Sequence, residues 1–316
     1  MRHIHILLRA QSKAQNSPLA NAPTLKDKEI KMATFYNRAT LSYDGGVVNS
    51  NTTEAELVSG LTLTKTAVSQ DYTEDSSVVY AITLSNMSAT AYTSLSINDN
   101  LGAYTLIGGG EVIPLNYVTG SMLYYLNGVL QPSPTVISVG GLEISNINLP
   151  ANSTATFIYE AQTNEYAPLL AGSSITNTTS TNGGVGIGIL TDTATVTVRE
   201  GAELTIAKAV CPPVITDNSE LTYTIIVQNL GNTAIVATDG VIISDVFNPI
   251  LTGLTVMLDG VTLLEGVGYS YNATTGEFST LDGTVTVPAA TYTQDPTTGV
   301  ITTTPGVTTL TIMGTV

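Results

Sequence analysis

The sequence predicts an all-β protein: two tandem Greek-key β-sandwiches, the second lacking its terminal strands, with an additional β-hairpin at the N-terminus. Three observations carry that expectation. The chain is rich in Thr, Ser, Val, Asn and Gly, has no Trp, and is 43% hydrophobic but only 11% charged. Short alternating runs recur about every ten residues, as strands of a sandwich do, and no helical spacing stands out beyond the extreme N-terminus. Finally, one series of strand patterns occurs twice, and its second occurrence stops a hairpin early.

Residues 1–31 differ from the rest and hold most of the basic residues and both histidines. Lys28-Glu29-Ile30-Lys31-Met32 is encodable by codons that spell a bacterial ribosome-binding sequence at normal distance from a start codon. Translation is therefore expected to begin at Met32, which makes 1–31 an artefact of the assigned start. The alternative is a cleaved or disordered leader. Ile4-His5-Ile6-Leu7-Leu8 is too short for the apolar region of a signal peptide, and Arg9 follows it. No apolar run reaches the roughly 18 residues of a membrane-spanning helix, and there is no C-terminal cell-wall sorting signal.

Residues 32–58 read as a β-hairpin standing outside the repeat. Phe35-Tyr36-Asn37-Arg38-Ala39-Thr40 is similar to Ile175-Thr176-Asn177-Thr178-Thr179-Ser180, and Asn51 to Leu57 is similar to Asp192 to Val198. Period two puts Phe35, Asn37, Ala39 and Leu41 on one face. Gly45-Gly46 would be its turn, matching Gly183-Gly184.

Module 1, residues 59–200, opens with Leu61-Thr62-Leu63-Thr64-Lys65, so Leu61, Leu63 and Lys65 share a face. Tyr80, Ile82, Leu84 and Asn86 share another, and Leu95, Ile97, Asp99 and Leu101 a third. Asn127-Gly128 after Leu123 to Leu126 is a strong hairpin turn. After Thr154 to Tyr159 come two more strands, near 174–182 and 189–198. Module 2, residues 201–316, repeats the series with Leu204 to Lys208, Tyr223 to Asn229, Ile243-Ser244-Asp245 and the turn Asp259-Gly260. It ends at Leu310 to Val316, before any counterpart of the last two strands.

At these residues the sequence resembles the bacterial and archaeal surface-protein repeat called DUF11, an immunoglobulin-like module. The pattern runs L-T-x-x-K, Y-x-I-x-x-x-N, an x-x-D strand, a late T-x-T-I strand and N-x-A-T. Here these are Leu61 to Lys65, Tyr80 to Asn86, Asp99 and Thr154 to Ile158, then Leu204 to Lys208, Tyr223 to Asn229, Asp245 and Thr309 to Ile312. Asn37-Arg38-Ala39-Thr40 supplies the last element, which Asn177-Thr178-Thr179-Ser180 matches less closely. The resemblance covers nearly all of 33–316 and implies a surface or structural role, not a catalytic one.

The shifted repeat frame predicts a homopolymer. A sandwich without its last strands exposes unpaired backbone and bare core, and a neighbour's hairpin can fill it head to tail. Such a contact need not close on itself. Two other arrangements are open: the hairpin folds back onto its own module 2, or adds to an edge of module 1.

Lysine on an apolar face needs a partner. Lys65 with Asp99 and Asn177 in module 1 form one such set, and Lys208 with Asp245 and a neighbour's Asn37 form the other. Buried Lys, Asn and carboxylic acid is the set that forms spontaneous Lys–Asn isopeptide bonds in Gram-positive surface sandwiches. The competing reading is a Lys–Asp salt bridge, or a lysine that snorkels out at a strand end.

Other functions find little footing. A net charge of −15 argues against nucleic acid and anionic membranes. No histidine occurs in 32–316, and there is no nucleophile motif, Cys/His metal spacing or phosphate loop, so neither an enzyme nor a cofactor is expected. Asn98-Asp99-Asn100 is a weak Ca²⁺ candidate and more commonly a strand end. Cys211 is the sole cysteine and forms no intrachain disulfide. The main alternative is a monomeric surface adhesin or binding module, with Tyr124, Tyr125, Tyr269 and Tyr271 as an aromatic face. An extracellular or spore-surface location is expected for a filament. Release by lysis of a sporulating mother cell would need no signal peptide.

Overall fold

The computed structural model describes residues 33–43, 46–57, 60–182, 188–216 and 219–316. The leader reading of 1–31, together with Gly45 and Gly183-Gly184, lies outside the described residues. The architecture is all-β, and the 3₁₀ turn Ala237–Asp239 is the one helical element among the described residues. The chain divides at Gly60 into two compact units.

The first unit holds β1 (Ala33–Asn37), β2 (Thr40–Tyr43), β3 (Gly46–Asn49) and β4 (Thr53–Leu57). β1 pairs with β4 and β2 with β3, both antiparallel. Only Arg38 and Ala39 separate the two ladders on one side, whereas Ser50, Asn51 and Thr52 separate them on the other. The extra residue makes a β-bulge on the return side, so the outgoing strand keeps its alternation. Tyr36, Leu41, Val47 and Val48 are exposed.

The second unit begins with β5 (Leu61–Ala67), β6 (Asp71–Tyr72), β7 (Ser77–Asn86), β8 (Tyr92–Asp99), β9 (Tyr104–Thr105), β10 (Glu111–Val112) and β11 (Leu115–Tyr117). It continues with β12 (Leu123–Leu126), β13 (Val129–Gln131), β14 (Thr135–Ile137), β15 (Leu142–Leu149), β16 (Ser153–Thr163), β17 (Ser174–Thr181) and β18 (Leu190–Val198). These strands form module 1. One sheet has the order β13-β12-β16-β7-β5 and the other β14-β15-β8-β17-β18-β6. Successive strands β7 to β8, β15 to β16 and β16 to β17 change sheet, which is the Greek-key wiring the pattern predicts. Between the sheets lie Leu61, Leu63, Ile82, Leu84, Ile97, Phe157 and Val196, all buried.

Module 2 comprises β19 (Leu204–Cys211), β20 (Glu220–Asn229), β21 (Ser244–Val246), β22 (Thr252–Leu258), β23 (Val261–Leu263), β24 (Tyr269–Asn272), β25 (Glu277–Thr280), β26 (Thr291–Gln294), β27 (Ile301–Thr304) and β28 (Gly306–Thr315). Its large sheet has the order β19-β20-β28-β22-β23 and its small one β21-β25-β24. Leu221, Ile225, Phe247, Val256, Phe278 and Leu310 make its core.

The repeated motifs have local causes. Asn127 and Gly128 both take positive φ, 50° and 79°, as do Asp259 and Gly260, 48° and 79°. A two-residue hairpin turn of this twist needs such residues. Asn86 and Asn229, which end β7 and β20, are both buried. Asn86 donates to the Thr90 and Pro150 carbonyls at 2.8 and 2.7 Å, and Asn229 to those of Thr233 and Pro288 at 2.8 and 3.1 Å. The sequence pattern gives no hint of the β26–β27 hairpin, which ties the modules together. Ile301 N donates to the Glu165 carbonyl at 2.8 Å, and Gln294 Nε2 to Tyr104 Oη at 2.6 Å.

Candidate functional site

Corresponding strands of the two modules have different surroundings. In module 1, β8 lies between β15 and β17, and β18 follows β17 in the same sheet. β17 meets β8 with Thr179 opposite Asp99, Ser180 opposite Asn98 and Thr181 opposite Ile97. Its buried residues are Ile175, Asn177, Thr179 and Thr181, and those of β18 are Ala194, Val196 and Val198. Asp192 of β18 also accepts from the Lys65 backbone N–H at 2.7 Å.

In module 2 the corresponding strand β21 is the outer strand of its sheet, and β19 the outer strand of the other. No strand among the described residues of 201–316 takes the place of β17 or β18. The consequence is visible along β19, where every residue is exposed, whereas Leu61, Leu63 and Lys65 of β5 are buried. Ile206 is 65% exposed, and its counterpart Leu63 3%. Ile242, just before β21, and Val246, its last residue, are also exposed, but on the outward face, since Ile243 and Phe247 between and beside them are buried. The free edge of β21 and the exposed Leu204 and Ile206 of β19 leave this side of module 2 open.

The expected lysine sets are assembled to different degrees. In module 1 the Lys65 and Asp99 side chains are both 0% exposed, and Lys65 Nζ donates to Asp99 Oδ2. Tyr159 joins them: its hydroxyl donates to Asp99 Oδ2 at 2.7 Å and accepts from Lys65 Nζ at 3.2 Å and Asn177 Nδ2 at 3.0 Å. Lys65 Nζ also sits 4.8 Å from the centre of the Tyr80 ring. Asn177 Oδ1 and the Tyr80 hydroxyl are buried without a hydrogen-bond partner. Burial pulls the Lys65 ammonium down to about 8, with Asp99 opposing. Burial, followed by the nearby Asp99 charge, pushes the Tyr159 hydroxyl well up, so it keeps its proton.

In module 2 Lys208 donates to Asp245 Oδ2, but these side chains are 39% and 17% exposed. Lys208 Nζ lies 4.4 Å from the Tyr223 ring centre, mirroring Lys65 over Tyr80. The hydroxyl is missing, because the residue facing Tyr223 across the ladder is Ile312, whereas Tyr159 faces Tyr80. Asn37 belongs to the separate first unit, in β1, opposite Thr53. Phe35 pairs there with Ala55, Ala39 lies between the two ladders, and Leu41 pairs with Val48.

Sequence reasoning did not include Tyr159 in the set. Period two along β16 puts Phe157, Tyr159 and Ala161 inward, but only the pairing of β16 with β7 brings Tyr159 to the lysine. The other candidates have structural employment. Asp99 Oδ1 accepts from Leu101 N at 3.0 Å, and Asn100 Oδ1 from Thr178 N at 2.8 Å, so the Ca²⁺ candidate is a strand end. Tyr124 stacks on Phe157 at 4.8 Å and Tyr269 on Phe278 at 5.5 Å, and the Tyr271 hydroxyl donates to the Leu251 carbonyl at 2.8 Å. Cys211 is exposed at the end of β19. Among the described residues no helix is long and apolar enough to cross a membrane.

No protein-family model matches the chain, and no curated protein sequence does. Solved structures do superpose in part. The pilus backbone RrgB of Streptococcus pneumoniae is 11% identical over 78% of this chain and 55% of its own, with a TM-score of 0.32. The full-length major pilin SpaD of Corynebacterium diphtheriae is 9% identical over 77% and 58%, at 0.32. BcpA, the major pilin subunit of Bacillus cereus, is 12% identical over 86% and 73%, at 0.30. The chain thus spans little more than half the length of the first two.

Proposed function

We propose that the protein is the structural subunit of an extracellular filament, polymerised head to tail by inserting hairpin 33–57 of one subunit into the open side of module 2 of the next. One observation carries this reading. Along β1 and β4 the hairpin is paired in the register of the strands that have no counterpart among the described residues of module 2: Asn37 faces Thr53 as Asn177 faces Ala194, and Phe35 faces Ala55 as Ile175 faces Val196, while past the bulge β2 and β3 run one residue out of that register. Phe35, Asn37, Ala39 and Leu41 therefore correspond to Ile175, Asn177, Thr179 and Thr181, the buried residues of β17. By the same correspondence, Ala39 comes to lie opposite Asp245, and Leu41 opposite Ile243.

The energetics favour a durable joint. Both surfaces carry exposed large apolar residues, with Leu204 and Ile206 on the acceptor and Leu41 on the donor. Each such side chain buried contributes about 1.5–3 kcal/mol. Backbone hydrogen bonds at the β21 edge, like those of β17 to β8 in module 1, add directionality. The resemblance to a surface-protein repeat supports a position outside the cell, as a pilus-like or spore appendage. At each joint Asn37 would complete the set with Lys208 and Asp245. A ladder in reducing denaturing gels that is lost in Lys208→Arg would mean that Lys208 and Asn37 have condensed, and monomers that the joint is non-covalent.

Negative-stain electron microscopy of purified 32–316 beside a chain starting at Gly60 tests the proposal. Fibres from the first and monomers from the second are expected. Monomers from both would overturn it and favour a closed two-module surface protein.

A further inference from the structure

The buried set in module 1 is complete within one chain. Three groups converge on the Tyr159 hydroxyl: Lys65 Nζ, Asn177 Nδ2 and Asp99 Oδ2. None of these side chains is half-exposed in the manner of Lys208, and the Lys65 and Asp99 side chains are wholly enclosed. Leaving an ammonium and a carboxylate in such a place is costly, because the pair gives up its hydration. The Asn177 carbonyl oxygen adds a second cost, since it is buried and unpartnered. A reaction that removes the charges relieves the first, and the carboxylic acid it leaves at Asp99 supplies a donor for the amide oxygen, which the product retains.

We propose that Lys65 and Asn177 condense into an intrachain isopeptide bond, with Asp99 taking up a proton and Tyr159 relaying one. The Lys65 ammonium first gives a proton to Asp99 Oδ2. The neutral Nζ then attacks Asn177 Cγ and forms the new C–N bond. The attacking nitrogen sheds a second proton, which passes through the Tyr159 hydroxyl to Nδ2. The old Cγ–Nδ2 bond breaks and ammonia leaves. The product is a secondary amide and a neutral Asp99, with no oxidant or co-reactant required. The bond joins β5 of one sheet to β17 of the other. Tension along the chain would then bypass everything between them.

The depressed Lys65 pKa, about 8, supplies neutral amine more readily than a solvated lysine would. Module 2 cannot follow the same relay, since Ile312 stands where the hydroxyl would be. The inference concerns one chain alone and does not depend on assembly.

Intact-mass measurement of purified 32–316, with a Lys65→Arg variant alongside, tests it. The parent is expected to weigh one ammonia less than its sequence requires, and the variant to have its full mass. Proteolysis of the parent should release a branched peptide joining the segments of Lys65 and Asn177. Full mass in the parent overturns the proposal. So does a deficit that persists in Lys65→Arg, since succinimide formation at Asn127-Gly128 loses the same ammonia. If Tyr159 relays the proton, Tyr159→Phe should slow the mass loss by about a hundredfold when chains recovered unreacted from inclusion bodies are folded for the first time, a typical contribution of a positioned proton donor. An unchanged rate removes Tyr159 from the mechanism.

Discussion

β5 and β19 have nearly the same sequence and opposite surroundings. Leu61-Thr62-Leu63-Thr64-Lys65 is buried on alternate residues, while every residue of Leu204-Thr205-Ile206-Ala207-Lys208 is exposed. Both pair with the next long strand in the same register, Lys65 opposite Ile82 and Lys208 opposite Ile225. The difference therefore does not come from the strand or from its ladder. It comes from β17 and β18, which module 1 has and which find no counterpart among the described residues of module 2. A strand's pattern states which face wants cover, and the rest of the chain decides whether the cover is present.

That contrast can be broken with paired substitutions. The largest effect is expected from a carboxylate in the covering strand, because an unpaired buried charge costs several kcal/mol. Thr181→Asp should unfold module 1, since Thr181 is buried in the chain itself. Leu41→Asp should leave the monomer's melting temperature unchanged and abolish fibres if the proposed donor role holds, since Leu41 is exposed in the single chain. Calorimetry and electron microscopy read the two outcomes. Equal loss of melting temperature in both would mean that the hairpin is not a donor.

A smaller effect is expected beneath the covering strands. Leu63→Ala should cost the monomer about 2–5 kcal/mol in urea unfolding, the usual range for a buried leucine. Ile206→Ala should cost the monomer under about 0.5 kcal/mol, because its side chain faces solvent. It should nevertheless weaken the joint by roughly tenfold or more in dissociation rate, the equivalent of about 1.4 kcal/mol.

The smallest expected difference is in pH dependence. Asn177→Ala keeps the Lys65 amine free. Folding holds its pKa near 8, against 10.5 for an ordinary lysine, so between those values the unfolded chain binds more protons. Stability of this variant should therefore rise with pH across that window, by at most about 3–4 kcal/mol. Above roughly pH 10 the slope should turn down. There burial keeps Tyr80 and Tyr159 protonated in the folded state alone. The parent chain, with its lysine consumed as an amide, should lack the rise. A rise of equal size in the parent would argue for an ion pair that never condenses.

Much of this was legible in the sequence because it rests on local rules. Alternation placed Lys65, Asp99 and Asn177 on inward faces, and each is buried. Asn127-Gly128 and Asp259-Gly260 announced their turns because positive φ is demanded there. The hairpin's likeness to Ile175–Ser180 could be read residue by residue, and the observed pairing of β1 with β4 reproduces the register. What escaped was long-range. Tyr159 joins the lysine set only through the pairing of β16 with β7, which no pattern within either strand specifies. The β26–β27 hairpin forms no part of the sequence reading, and its role at the module junction depends on Glu165 and Tyr104, more than a hundred residues earlier. The bulge at Ser50 to Thr52 has no marker such as a glycine, and it appears only once the two ladders are counted.

The most direct test of the account is a register measurement at the joint. In module 1 Ser180 faces Asn98, so Thr40 of one subunit should face Ser244 of the next. Opposed residues on antiparallel strands approach closely enough for a disulfide. In a Cys211→Ala background, mixing Thr40→Cys with Ser244→Cys under mild oxidation should give intermolecular crosslinks, and shifting the first cysteine to Leu41 should remove them. Crosslinking from Leu41→Cys, or from neither, would contradict the claim that hairpin 33–57 occupies the place of β17 and β18 in the neighbouring module 2.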